Sequence, residues 1–135
     1  MAATTRSQKL KRLVAVQRHL ERMAEHELAA TTQQRDEVSR SMDQVIDAIG
    51  SMDPVHRLFS QHYSERFGKL ASLDVHLSGV QKVHERQVMK ERAKAERLEE
   101  GMKEARMLED RELDDNAIYD LLEQQLAMPA GRGNK

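Results

Sequence analysis

From Leu13, positions fit for a buried stripe recur at steps of three and four: Leu13, Val16, Leu20, Ala24, Leu28, Thr31, Arg35, Val38, Met42, Val45 and Ile49. The mean step of about 3.6 residues is that of a straight α-helix carrying one sticky face. Thr31, Gln34 and Arg35 weaken that face midway, which costs stability and helps fix register. The stripe resumes after a short gap as Val55, Phe59, His62, Arg66, Leu70, Leu73, Leu77, Val80, His84, Val88, Glu91, Ala95, Leu98, Met102, Ala105 and Leu108. Gly68, Gly79 and Gly101 lie inside this second run, each costing about 1 kcal/mol relative to alanine. Gly68 marks the alternative place for a break.

The gap itself, "AIGSMDPVHRLF" at 48–59, reads as a stop followed by a start. Gly50 suits the left-handed conformation that closes many helices. Asp53 is a good N-cap, and Pro54 suits the first helical position, where its missing N–H is no loss. A connection that short joins antiparallel neighbours more readily than it kinks one rod. The fold expected is therefore all-α: a long antiparallel two-helix coiled-coil hairpin with a short C-terminal helical extension. Its elements are a helix over about 6–49, a turn at 50–53, a helix over about 54–112, a C-terminal helix over about 116–127 and a disordered tail at 128–135. This register brings Leu20 near Val83, Leu13 near Lys90 and Val38 near Glu65. The first arm spans on the order of 65 Å and the second is longer.

The excess length is not free of apolar residues. Leu108, Leu113, Ile118, Leu121, Leu122 and Leu126 recur at helical spacing, and Asp114, Asp115 and Asn116 supply a cap for a fresh helix. Two readings stand: the last helix folds back on the open end of the hairpin, or it is an amphipathic segment for docking on another protein. Phe59, Tyr63 and Phe67, four residues apart near the turn, likewise either pad the core or form a partner-facing stripe.

Charge sharpens the docking reading. The chain has a net charge of −1, yet residues 1–22 carry Arg6, Lys9, Lys11, Arg12, Arg18 and Arg22 against Glu21, whereas residues 96–123 carry eleven acids against four bases. Ends of opposite sign suit docking into a protein partner. The basic, acid-poor start is also how a mitochondrial presequence reads, but its periodicity continues unbroken to residue 49. With no apolar run near the roughly 18 residues that span a bilayer, a cytoplasmic protein is expected.

Chemistry is sparse. Cysteine is absent, which removes disulfides, thiol catalysis and thiolate metal sites. The composition, 33% charged and 3% aromatic, favours helices that bury only a stripe. The expected register pairs His19 with His84 and His26 with His76, an arrangement two imidazole layers need to hold zinc or copper, but no helical His-Glu-x-x-His or Glu-x-x-His motif accompanies it; no metal and no cofactor are expected. No phosphate loop or nucleophile elbow occurs, and solvated helix faces do not position acids and bases, so no enzyme activity is expected. The basic stretches lack stacking aromatics, which argues against nucleic acid.

The basic start "RSQKLKRLVAVQRHLERMAEHEL", the mid-chain turn and the ending "LEDRELDDNAIYDLLEQQLA" together resemble the FliJ/YscO-like proteins of flagellar and virulence type III export. The resemblance implies a non-enzymatic two-helix coiled coil, similar to the central stalk of rotary ATPases. Its open end inserts into the hexameric export ATPase, while other parts contact the export gate and export chaperones. The residues this implies for partner binding are Lys9, Lys11 and Arg12 at the start and Arg111, Leu113, Ile118, Leu121 and Leu122 at the end. It also implies a monomer or weak oligomer that reaches the membrane only through its partners. An export chaperone and a generic coiled-coil scaffold binding a partner helix are the competing readings.

Overall fold

The computed structural model describes residues 3–128. It is all-helical, with two long helices packing against each other. Helix α1 is Arg6–Ile49, α2 is Pro54–Leu58 and α3 is Ser60–Ala127. The expected tail lies, Met128 apart, outside the described residues.

Local chemistry sets the helix ends. At the start of α1, Gln8 N–H donates to Thr5 Oγ1 while Thr5 N–H donates to Gln8 Oε1, a reciprocal pair that satisfies two N–H groups the helix leaves open. At the start of α2, Asp53 Oδ1 accepts from Val55 N–H at 2.9 Å and Pro54 occupies the first turn. Gly50 departs from expectation, because no glycine has positive φ among the described residues. Gly50 N–H still bonds to the Ile46 carbonyl and Ser51 N–H to Ala48, so the helix tightens and frays instead of reversing through a left-handed residue.

The second arm begins differently as well. Five residues of α2 bury nothing, Phe59 leaves helical geometry as its C-cap, and α3 then starts at Ser60. The break is therefore at Phe59 rather than near Gly68. α3 also runs without interruption through Asp114, Asp115 and Asn116, so the expected separate C-terminal helix is simply its end. These three residues are weak helix formers costing a few tenths of a kcal/mol each, and no glycine or proline stands among them to enforce a stop.

Two compact units divide the chain: the chain to Ala15 together with the chain from Glu96, and Val16–Ala95. In the latter, α1 buries Gln17, Glu21, Ala24, Thr31, Val38 and Val45, with Leu28, Arg35 and Met42 half-buried between them. From α3, Leu77, Val88, Glu91 and Ala95 are buried, and Phe67, Leu70, Asp74, Gln81 and His84 half-buried. Both rows advance in strictly alternating steps of three and four, a repeat of about 3.5 residues. The expected row coincides with this one from Ala24 to Val45 and misses it earlier: Val16 and Leu20 are 58% and 42% exposed, while Gln17 and Glu21 take the inner positions.

Polar side chains enter the seam because partners meet them there. Gln17 Nε2 donates to the Glu91 carbonyl at 3.1 Å and to its carboxylate. Glu21 receives Arg18 at 2.6 Å and Arg92 at 3.1 Å. Arg35 donates through Nε to Asp74 Oδ1 at 3.1 Å and through Nη1 to Gln81 Oε1 at 2.8 Å. No buried side-chain nitrogen or oxygen among the described residues lacks a partner, the condition under which a polar layer is tolerable. These pairs also correct the expected register: Gln17 meets Glu91 where Arg86 was expected, and each of the other pairs departs from it in the same direction. The physical reason lies in the arms, whose partnered polar side chains fix the pairing, and α2 with Phe59 spans what that pairing leaves to the connection.

Candidate partner-docking surface

In the unit formed by both ends of the chain, one side chain ties the first turn of α1 to α3. Glu109 Oε1 accepts from the Ser7 backbone N–H at 2.9 Å, and its Oε2 accepts from Ser7 Oγ at 2.5 Å. Ser7 is buried by this arrangement. The Ser7 hydroxyl, then its N–H, then the nearby Arg106 hold the Glu109 carboxyl below its ordinary value against the opposing cost of desolvation. Below this layer Leu10 and Val14 of α1 and Leu98, Met102 and Ala105 of α3 fill the interior. Gly101 lies beside Leu10, whose Cδ1 is 3.9 Å from where a Cβ would stand.

Past Glu109 every described residue of α3 is exposed. The end of α3 therefore does not fold back on α1, and one of the two sequence readings falls. The residues from 110 to the end of α3 extend on the order of 27 Å. Leu113, Ile118, Leu121 and Leu122, four of the expected docking residues, all stand in water, with Ile118 at 56% and Leu122 at 49%. Ile118, Leu121 and Leu122 line one shallow depression with Met128, and Arg111 lines another with Met107 and Leu108. Lys9, Lys11 and Arg12 are exposed in the same unit. Sequence reasoning missed Ser7, Glu109 and Tyr119. Tyr119 is exposed and widens the apolar face; its ring at the i+1 position from Ile118 was the available signal.

The aromatic trio in the other unit separates. Phe59 is exposed at the cap of α2, Tyr63 and Phe67 are half-buried at stripe positions, and Tyr63 Oη lies 3.0 Å from His56 Nδ1. Phe59 is instead one of several exposed apolar residues around the connection, with Met52, Val55 and Leu58. The histidines do not converge either. His19, His26 and His76 are exposed, and His84 points to Glu27, its Nδ1 3.6 Å from the carboxylate. The register shift explains this, because it moves His84 off the layer of His19. No group of three or more potential metal ligands occurs among the described residues. No described helix is long and apolar enough to cross a membrane.

Comparison with family models, with curated proteins and with solved structures gives no match for this chain.

Proposed function

We propose that this chain is a non-enzymatic stalk or adaptor of a flagellar or type III protein-export apparatus, built as an antiparallel two-helix coiled-coil hairpin. It couples the export ATPase to the export gate and to export chaperones, working in the cytoplasm and reaching the membrane only through those partners. The hairpin reading rests on the heptad-like burial of both long helices and on seam partners whose numbers fall along α3 as they rise along α1, from Gln17–Glu91 to Arg35–Asp74.

One observation carries the functional reading. α3 continues past the Ser7–Glu109 tie as a charged helix with its large apolar residues in water, beside the exposed basic first turns of α1. A helix that leaves Leu113, Ile118, Leu121 and Leu122 uncovered is costly unless something takes them out of water. A hexameric export ATPase that receives this end supplies such a cover, and the resemblance of the two chain ends to the FliJ/YscO-like proteins points to it.

The test is capture of the cognate export ATPase by the full chain and by Ile118→Ser/Leu122→Ser. The wild-type chain retains the ATPase, and the variant, whose changed side chains are exposed on the end of α3, loses it while its stability stays within about 0.5 kcal/mol of wild type. No retention by the wild-type chain, together with normal export in a deletion strain, rejects the proposal.

A further inference from the structure

The connection between the long helices carries a dense run of uncovered apolar side chains. Ile49, Met52, Val55 and Leu58 recur every third residue and Phe59 follows, with exposures from 44% at Ile49 to 83% at Leu58. Together these five leave on the order of 600 Å² in water, the upper end of the largest apolar patch that a monomer ordinarily keeps. No residue of α2 is buried, so packing against the arms does not account for Val55 and Leu58. Charge here is balanced: residues 49–59 hold one acid, Asp53, and one base, Arg57, beside His56. Among the described residues no carboxylate pairs with Arg57, whose Nη2 lies 3.8 Å from Met52 Sδ.

We propose that this patch is covered by the same patch of a second copy, in a two-fold contact made by residues 49–59. Area and charge choose the occupant. Two such patches bury on the order of 1,200 Å² in all, the lower bound of a specific interface, which makes the dimer weak. Balanced charge lets like meet like without repulsion, and a two-fold contact offers each Arg57 an Asp53 on the other copy. The end of α3 has no such balance, since residues 110–123 carry six acids against one base. A lipid surface is recognised by basic side chains clustered around the apolar ones, and this stretch has a single arginine. The contact draws on one compact unit only and on no residue that the stalk reading gives to the ATPase.

Sedimentation equilibrium of the full chain from about 5 to 500 μM, in about 0.05 M and 0.5 M sodium chloride, tests this. The expected result is a monomer–dimer equilibrium with a dissociation constant of about 10 to 300 μM, changing less than about threefold between the two salts. Met52→Ser/Leu58→Ser is monomeric throughout with helix content by circular dichroism unchanged, and so is a chain with a tag inserted at 50–59. Ile118→Ser/Leu122→Ser dimerises like wild type. Because cysteine is absent, Met52→Cys treated with copper-phenanthroline reads the contact without weakening the fold: it forms an interchain disulfide, whereas Leu20→Cys, exposed elsewhere in the same unit, does not. A wild-type chain that stays monomeric, a Met52→Ser/Leu58→Ser variant that still dimerises, a dimer lost with Ile118→Ser/Leu122→Ser, or equal crosslinking through the two cysteines overturns the proposal. So does a monomer that sediments with phosphatidylcholine vesicles through this patch.

Discussion

Ser7 grips both carboxylate oxygens of Glu109, one through its backbone N–H and one through its hydroxyl, across 102 positions of sequence. The backbone bond satisfies an N–H in the first turn of α1, one of the four that a helix leaves open. A side chain on α3 therefore caps α1, and tertiary packing and helix termination are the same interaction. Ser7→Ala removes the hydroxyl half and Glu109→Gln the charge. Both variants accelerate amide exchange in the first two turns of α1 relative to residues 30–45, with helix content by circular dichroism unchanged. Equal exchange in the two regions means that the tie does not hold the end of α1.

Acid should loosen the pair. Glu21 is lowered from its ordinary value first by Arg18 and also by Arg92, Glu91 first by Gln17 and also by Lys94, and Glu109 by Ser7. A carboxylate whose folded value is depressed contributes stability that is fully present above the unfolded value of about 4.5. That contribution is lost as pH falls through the folded value. The urea midpoint is therefore flat near neutrality and falls as pH drops below about 4.5. Glu91→Gln gives a shallower fall than wild type, and an unchanged slope rejects the assignment.

Three glycines test the backbone. A Cβ at Gly68 or Gly79 meets nothing within 4 Å, and at Gly50 the nearest atom is the Ile46 carbonyl oxygen at 3.6 Å. Gly68→Ala and Gly79→Ala each raise stability by about 1 kcal/mol, read from urea or thermal unfolding. Gly50→Ala is neutral or mildly stabilising, because Gly50 has no positive φ. A marked loss at Gly50 places it in the left-handed region after all.

Gln17 and Glu91 form a buried polar layer in an otherwise mixed seam. Gln17→Leu leaves the Glu91 carboxylate without its buried donor and lowers the urea midpoint, whereas Gln17→Leu/Glu91→Leu recovers it or exceeds wild type. A double-mutant cycle with no coupling between the two positions counts against the pairing.

The all-helical fold was legible because good helix formers and a regular apolar period agree along both arms. The inner row was legible only where the two periods coincide. A 3.6-residue row and a 3.5-residue row drift apart by about 20° per seven residues, so they match over Ala24–Val45 and part company toward the start of α1. There the apolar choice is Val16 and Leu20, yet Gln17 and Glu21 are buried because Glu91 and Arg92, some seventy positions away, supply their partners. Hydrophobicity along one helix carries no record of what the facing helix offers. The candidate surface was read from charge and spacing at the end of α3, while Ser7 and Glu109 gave no local signal at all.

The connection between the long helices buries nothing in α2, and the polar layers around Arg35 and Gln17 fasten the arms independently of it. Register here is written into the arms and not into the loop. Residues 50–59 can accordingly gain or lose a residue or two, or carry an inserted tag or fluorophore, without sliding one arm past the other. The connection thus offers a labelling site for following the protein in cells while both chain ends stay untouched.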